Sequence, residues 1–231
     1  MQEAKTFLQL REWIEKGDTE RADGIHASDL LDPRLAFFRK KNPKAASERQ
    51  VYFYAIGRVL HMLVLSAVRG ETDISKSDIG TGSVLDIHYS MDHKVDGHPV
   101  ELKTHRGLRE PKPDQIQEQF GHYLEQLAIY MVAENKLIGE LWVLFINLLN
   151  DGGRTFPELR CYKVEMNEEQ FYATEQEIVQ TRDVLVEALE TNDPTQLPLC
   201  RQWLCGDACG YWKACQPQGR YPAKVKKLWT A

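Results

Sequence analysis

Apolar and polar positions follow two different periods along this chain, and the change of period separates predicted helices from predicted strands. Helical spacing occurs in residues 3–16, in the apolar run from Ser47 to about Val68, and from Pro113 to Glu134. The segment SDLLDPRLAFFRKK predicts a short helix that is broken at Asp32-Pro33. Near the end of the chain, Asn167 is a predicted N-cap for a helix of about two dozen residues that stops before Pro194.

The strand-like segments lie between these helices. SVLDIHYSM and PVELKT are short, alternate in polarity and are separated by DHKVDGH, so they are predicted to be neighbouring strands joined by a turn. The continuous apolar run Leu141–Leu149 predicts a buried strand, and NDGGR predicts a hairpin turn into LRCYKV. The pattern therefore predicts an α/β domain with a mixed sheet. It contains no glycine-rich phosphate loop or dinucleotide fingerprint.

Size and composition favour one globular domain, or a domain with a small appendage. The chain has 231 residues, of which 42% are hydrophobic and 27% charged. The opening segment MQEAKTFLQLREWIEKG is amphipathic and charged rather than a signal peptide, and the run Leu141–Leu149 is too short to cross a bilayer. The sequence thus predicts a cytoplasmic protein that does not interact with membranes.

Four of the five cysteines cluster near the end of the chain, at Cys200, Cys205, Cys209 and Cys215. In a reducing cytosol such a cluster favours a metal or iron–sulfur site over disulfides. Buried free thiols explain a lone cysteine such as Cys161 well, but they explain four cysteines in sixteen positions poorly.

Charge alone does not indicate a nucleic-acid partner, since the formal net charge is −5. Three local basic clusters are large enough to hold phosphates if they converge, although solvated surface charge explains each one taken singly. The clusters are Arg39, Lys40, Lys41 and Lys44; Arg106, Arg109 and Lys112; and Lys224, Lys226 and Lys227.

One of four E-x-K triplets lies in a setting that suits catalysis. Glu101 and Lys103 are two apart on a predicted strand, so they share a face, and Asp86 is predicted on the preceding strand in an apolar context. Two neighbouring carboxylates invite a divalent cation such as Mg²⁺ or Mn²⁺, and a lysine beside them can orient water. An ordinary exposed strand pair remains the alternative. Asp92 and Asp78 are possible substitutes for Asp86, but both lie in turn-like segments.

Three polar residues on predicted helices extend this pattern. His61 follows the apolar stretch YAIGRVL, while Gln126 and Tyr130 lie four apart on one helical face. Each of them, taken alone, is explained by core packing.

In this order the elements resemble the PD-(D/E)XK nuclease superfamily, and within it the RecB-like branch that includes Cas-four-type iron–sulfur exonucleases. The resemblance runs from about Ser28 to Gln216. It implies a restriction-endonuclease-like core, a mixed central sheet flanked by helices, followed by a cysteine-rich segment. It implies metal ligation by His61, Asp86, Glu101 and the carbonyl of Leu102, and catalytic roles for Asp86, Glu101, Lys103, Gln126 and Tyr130.

The resemblance also gives the cysteines a role in holding a 4Fe–4S cluster. Cys205, Cys209 and Cys215 resemble the three C-terminal ligands, although their first gap is three residues rather than two. The position of the N-terminal ligand, normally in a C-P-R context, reads Asp32-Pro33-Arg34 here. Cys200 is the preferred fourth ligand because thiolates are the usual cluster ligands, and Asp32 is the alternative. Zn²⁺ is the rival occupant.

The implied organisation is an N-terminal helical segment (1–45), a nuclease core (46–192) and an iron–sulfur segment (193–231). The implied activity is metal-dependent hydrolysis of single-stranded or frayed DNA ends, in CRISPR adaptation, phage recombination or DNA repair. A helicase, integrase or recombination protein is a possible partner. The alternative is a non-catalytic subunit that binds DNA ends and keeps a structural iron–sulfur or zinc site.

Overall fold

The computed structural model describes residues 23–45, 47–70, 80–149, 153–201, 204 and 209–215. The predicted helix at 3–16, together with Asp78, Cys205 and the basic cluster at 224–227, lies outside these residues. The helices are α1 (Ala27–Leu31), α2 (Pro33–Lys41), α3 (Glu48–Arg69), α4 (Ile116–Ala133), α5 (Glu168–Thr191) and the single turn α6 (Trp212–Cys215). The strands are β1 (Ile25–His26), β2 (Gly80–Val84), β3 (Ile87–Met91), β4 (His93–Val95), β5 (His98–His105), β6 (Ile138–Leu149) and β7 (Thr155–Glu165).

The helix predictions that fall on the described residues are confirmed, and the ends of these helices have local causes. The chain breaks between α1 and α2 because Pro33 occupies the first turn of α2. Ser47 caps α3 through a reciprocal capping box with Gln50, and Gly70 ends that helix with a φ of 68°. Asn167 likewise caps the 24-residue α5.

The strand predictions are only partly correct. Leu85 and Asp86, with φ angles of 51° and 56°, form a tight turn that divides the predicted strand SVLDIHYSM into β2 and β3. The predicted turn DHKVDGH contains the short strand β4, which returns into β5 through Asp96 and Gly97. The strands predicted at PVELKT, Leu141–Leu149 and LRCYKV are present within β5, β6 and β7.

Among the described residues the strands form two sheets, with the orders β1-β3-β2 and β4-β5-β6-β7. Both are mixed, because β1 runs parallel to β3 and β5 runs parallel to β6, whereas the other pairs are antiparallel. Asp92 is the one residue between β3 and β4, so the chain passes from the first sheet to the second at Asp92. The predicted mixed α/β architecture is therefore confirmed.

Helices cover both faces of the second sheet. On one face, α4 packs through Phe120, Leu127 and Met131 in a core that also includes residues of α1, α2 and α5. On the other face, Leu65 of α3 packs with Val100, Leu102 and Trp142. Strand β5 is therefore buried between α3 and α4.

The outer side of α3 is unusually apolar. By length and composition its segment Gln50–Arg69 is apolar enough to span a membrane, with a mean hydropathy of 1.6 over an 18-residue window. Core helices of soluble proteins also satisfy this criterion, and 22% of that window is buried. The sequence predicts this helix, from Ser47 to about Val68, but a glycine and several polar residues within it obscure a length of apolar chain that could span a membrane.

The cap of α5 gives a direct test of this local structure. The Asn167 side-chain oxygen accepts a hydrogen bond from the backbone amide of Gln170 at 2.8 Å, and the Gln170 side chain accepts one from the amide of Asn167 at 2.9 Å. We expect Asn167→Ala to lower the free energy of unfolding by about 1 kcal/mol in urea titrations, because the backbone amide of Gln170 loses its side-chain acceptor. Asn167→Asp keeps an oxygen acceptor and is expected to stay close to wild type. Equal losses in both variants would contradict this role.

Candidate active site

Two strands and two helices bring a compact set of polar residues together around β5. Asp92 immediately precedes β4, whose first residue, His93, pairs with Val100 of β5, so Asp92 lies close to Glu101. Asp92 Oδ2 accepts a hydrogen bond from the backbone amide of Leu102 at 2.8 Å. This hydrogen bond holds the Asp92 side chain against β5, the strand that carries Glu101 and Lys103.

Glu101 is the most constrained member of the site. Its side chain is fully buried and makes an ion pair with Lys103, yet neither carboxylate oxygen accepts a hydrogen bond of normal geometry from the described residues. Burial raises the pKa of Glu101 to about 8; the charge of Asp92 adds to this rise and Lys103 opposes it. Under-satisfied oxygens on a buried carboxylate are expensive unless a ligand completes them.

Lys103 and Asp92 are held in their charged forms by this neighbourhood. Burial disfavours the charged ammonium, but the carboxylates of Glu101 and Asp92 outweigh it and raise the pKa of Lys103. For Asp92, burial is likewise the largest effect, and it is outweighed by the hydrogen bond with His61, the charges of Lys103 and His61, and the Leu102 amide, so its pKa is lowered. Lys103 also lies 5.9 Å from the centre of the Tyr123 ring.

His61 reaches the site from the opposite helix layer. It lies on α3, and its Nδ1 is 3.6 Å from Asp92 Oδ1. Because α3 covers the face of β5 opposite to α4, His61 and Tyr130 approach the two carboxylates from different sides of the strand.

Tyr130 and Gln126 form an ordered pair on α4. Gln126 Nε2 donates to the Tyr130 hydroxyl at 2.6 Å, and that hydroxyl donates to the Ser90 carbonyl at 2.7 Å. The Tyr130 hydroxyl also interacts with the carboxyl group of Glu101, so it lies between that carboxyl and the Ser90 carbonyl. Burial, with the charges of Glu101 and Asp92, raises the pKa of Tyr130 well above its ordinary value, so it remains a neutral phenol.

The structure corrects the position of Asp86. It does not lie on a strand: it occupies the β2–β3 turn, its side chain is 97% exposed, and its carboxylate lies 3.7 Å from Arg182 on α5 rather than beside Glu101. The physical reason is the tight turn at Leu85-Asp86, which the apolar pattern concealed. Asp92, the substitute named from the sequence, is the aspartate that the structure places with Glu101 and Lys103.

Two aromatic neighbours of Lys103 were not identified from the sequence. Tyr123 belongs to the same helical stripe as Gln126 and Tyr130, so its spacing was an available signal. The ring of His122 contacts that of Tyr123 at a centroid distance of 3.8 Å and is tilted by 50° to it. Burial, together with Arg201, Lys103 and His105, lowers the pKa of His122 to about 4. His122 therefore stays neutral around pH 7. For Leu102, the contact that the structure shows at the site is made by its amide, and ligation through its carbonyl remains a prediction.

The cysteine-rich end contacts the N-terminal helices. Arg34 is buried and donates to the Leu197 carbonyl at 2.8 Å, while Arg201 lies 3.6 Å from Asp32. Burial raises the pKa of Cys215, which lies near Arg34 and Cys209. The Asp32-Pro33-Arg34 segment therefore lies against the C-terminal residues.

The described residues do not form a complete set of ligands for either the divalent cation or the 4Fe–4S cluster. Within the described part of the chain, no three His, Cys, Asp or Glu side chains converge closely enough to hold a metal ion. Cys200 and Cys215 are buried, Cys209 is half-buried, and Cys205 lies outside the described residues.

Comparisons with known proteins define the fold and leave the activity open. No protein-family model matches the sequence, and no curated protein matches it either. The structure is similar to the crystal structure of SSO0001, with a TM-score of 0.58 at 18% identity over 91% of this chain and 96% of the other. LHK-Exo in complex with dAMP aligns with a TM-score of 0.35 at 16% identity, over 73% of this chain and 91% of that one. The chain is thus a mixed α/β protein that shares its fold with SSO0001, while the similarity to the exonuclease is too weak to define a common fold.

The raised pKa of Glu101 predicts a pH-dependent stability. The folded chain retains a proton on Glu101 between its ordinary pKa of 4.5 and about 8, whereas the unfolded chain releases it. The stabilisation from Glu101 is therefore fully present below about pH 4.5 and is lost as the pH rises through 8, with a slope of at most about 1.4 kcal/mol per pH unit. We expect Glu101→Gln to flatten this slope in metal-free urea titrations from pH 5 to 8.5.

The control for this measurement is Glu190→Gln, which changes an exposed glutamate on α5. It is expected to keep the wild-type slope. If Glu101→Gln and the wild type show parallel curves, Glu101 does not carry the proton that we assign to it.

Proposed function

We propose that this protein is a metal-dependent nuclease of the RecB-like PD-(D/E)XK type, hydrolysing phosphodiester bonds at single-stranded or frayed DNA ends. The single observation that carries the proposal is that Asp92 lies beside Glu101 and Lys103 of β5. His61 and the Tyr130–Gln126 pair surround these three residues. The exonuclease mode, the preference for DNA and a place in CRISPR adaptation, phage recombination or repair are parts of the proposal that rest on the sequence resemblance.

The donor set suits a hard divalent cation such as Mg²⁺ or Mn²⁺. We propose Asp92, Glu101 and His61 as its ligands, with Asp92 replacing Asp86 in the expected set. The incompletely bonded oxygens of Glu101 support this assignment, and the three side chains would have to move closer together to bind the ion. When bound, the cation would act as a Lewis acid and lower the pKa of a coordinated water. In the structure described, Lys103 contacts the Glu101 carboxylate directly, so the three side chains do not yet form a complete set of ligands for a cation.

The chain's own residues supply charge and orientation. Lys103 stays protonated beside Asp92 and Glu101, so its ammonium can neutralise charge that develops on a phosphate or hold a water for attack. Asp92 orients His61 and is itself held by the Leu102 amide. Tyr130, which accepts a hydrogen bond from Gln126, donates one to the Ser90 carbonyl near the end of β3. This bond holds the end of the strand and so helps to position Asp92, two residues later.

Nuclease activity with a matched pair of aspartate variants tests this proposal. End-labelled single-stranded DNA is incubated with Mg²⁺ or Mn²⁺ and the wild type, Lys103→Ala, Asp92→Ala or Asp86→Ala. We expect Lys103→Ala and Asp92→Ala each to lose at least about a hundred-fold in rate, since they remove a charged group from the reacting centre. Asp86→Ala is expected to cut at close to the wild-type rate because its side chain points to solvent.

Two outcomes would contradict the proposal in different ways. Loss of activity in Asp86→Ala alone would show that the catalytic aspartate is Asp86, in the β2–β3 turn, rather than Asp92. DNA binding without cleavage by any variant, the wild type included, would favour the non-catalytic end-binding subunit instead.

We further propose that the C-terminal cysteines hold a structural 4Fe–4S cluster, with Zn²⁺ as the alternative occupant. The proximity of Cys209 to Cys215 and the contacts of Asp32 and Arg34 with the same end support it. The described residues do not assemble a full ligand set, so the choice between Cys200 and Asp32 as the fourth ligand, beside Cys205, stays open.

Metal analysis of anaerobically purified protein tests the cluster. We expect a brown protein containing iron, and loss of that iron in Cys209→Ala and Cys215→Ala because thiolates are the usual ligands. Cys161→Ala is the control, since Cys161 is exposed on β7 and is expected to leave the iron content unchanged. Stoichiometric zinc without iron would assign the site to zinc, and absence of both metals would refute it.

A further inference from the structure

An exposed group of aromatic and basic side chains lies where α3 meets the end of β5. Arg106 follows β5 directly, and its guanidinium lies 4.1 Å from the centre of the Phe53 ring. Phe53 and Tyr54 are 38% and 48% exposed, although both are large aromatic side chains. We call Phe53, Tyr54 and Arg106, with the exposed Arg109 and Lys112 of the following loop, the aromatic–basic patch.

The patch lies at a defined distance from the candidate active site. Phe53 and His61 are eight residues apart on α3, which corresponds to about 12 Å along a helix. Lys103 and Arg106 are three residues apart at the end of β5, which corresponds to about 10 Å of extended chain. Each spacing is a separation along its own element, and each corresponds to about three stacked nucleotides at about 3.4 Å per nucleotide.

The charges of the loop favour a polyanion over an apolar protein partner. Glu110 is the acidic residue between Arg109 and Lys112, and it pairs with Arg160 at 2.9 Å and accepts a hydrogen bond from Tyr162. Its charge is thus directed to β7, and among the described residues no acidic side chain pairs with Arg109 or Lys112. The loop is also held in place, because the Leu108 carbonyl accepts a hydrogen bond from the Leu149 amide at 2.8 Å.

We infer that the aromatic–basic patch binds the single-stranded nucleic acid whose scissile phosphate lies at Lys103, with a base against the Phe53–Tyr54 aromatics and phosphate at Arg106. Aromatic faces beside cations recognise single strands without regard to sequence, because every base has a π face and every nucleotide a phosphate. In a duplex the bases stay stacked inside, so the patch selects unpaired strands. The inference rests on the proposed nuclease function and names the substrate form that it takes.

Base-dependent and phosphate-dependent binding can be separated with two probes in metal-free buffer. The probes are a fluorescent oligothymidylate and a strand of equal length that lacks bases, both followed by anisotropy. We expect Phe53→Leu, which keeps apolar bulk beneath Arg106 but removes the ring, to lower the affinity for the base-bearing strand about ten-fold and to leave the abasic strand nearly unchanged. Arg106→Ala is expected to weaken both probes and to reduce the salt dependence by about one phosphate contact.

Tyr172→Leu is the matched control, because Tyr172 is an aromatic residue 59% exposed on α5. It is expected to leave both affinities unchanged. If Phe53→Leu leaves the ratio of the two affinities at the wild-type value while the wild type binds and cuts DNA with Mn²⁺, the inference is wrong and the nuclease proposal stands. If Phe53→Leu lowers the ratio but no cleavage occurs, the patch stands and the catalytic proposal fails.

The same variant also separates nucleic acid from protein on this face. A change of oligomeric state in Phe53→Leu, measured by size-exclusion chromatography, with an unchanged affinity ratio would assign the face to a second copy of the chain and overturn the inference. A wild type that binds neither probe would overturn it as well.

Discussion

The burial of the Glu101 carboxylate within β5 is the constraint on which the site depends. A buried acid requires either a partner or a proton, and Glu101 has Lys103 as a partner and a pKa raised to about 8. Removing Lys103 would leave an uncompensated group between two helix layers. The interaction therefore couples the packing of the sheet to the chemistry of its edge.

The surroundings of Glu101 are arranged so that little else in the described structure satisfies it. The Tyr130 hydroxyl donates to Ser90, and the Asp92 carboxylate accepts from the Leu102 amide. Apart from its contacts with Lys103 and Tyr130, neither Glu101 oxygen has a hydrogen-bond partner of normal geometry among the described residues. In a stable fold, a buried carboxyl group that lacks part of its hydrogen bonds is typical of a ligand-binding site.

Helix α3 serves two surfaces at once. Its inner side carries Leu65 into the small core over β5 and brings His61 to Asp92, whereas its outer side leaves Phe53 and Tyr54 exposed beside Arg106. Because a helix and the strand beneath it are rigid over this length, the distance between the reacting centre and the exposed aromatics is built into the fold. This geometry is what links hydrolysis to a particular form of substrate in our proposal.

The sequence by itself determined the helices, the mixed sheet and the E-L-K strand, because periodicity and caps act within a few residues. It also identified Glu101, Lys103, Gln126, Tyr130 and His61 as one set, and the structure brings these residues together. The roles assigned to them, the iron–sulfur cluster and the domain boundaries remain predictions.

Only the tertiary structure decided which aspartate accompanies them. The local pattern favoured Asp86 as a strand residue and Asp92 as a turn residue, but the tight turn at Leu85-Asp86 and the short strand β4 depend on cross-strand pairing. The Arg106–Phe53 contact likewise joins segments about fifty residues apart. Pairing register and helix docking are nonlocal, so no local pattern in the chain could specify them.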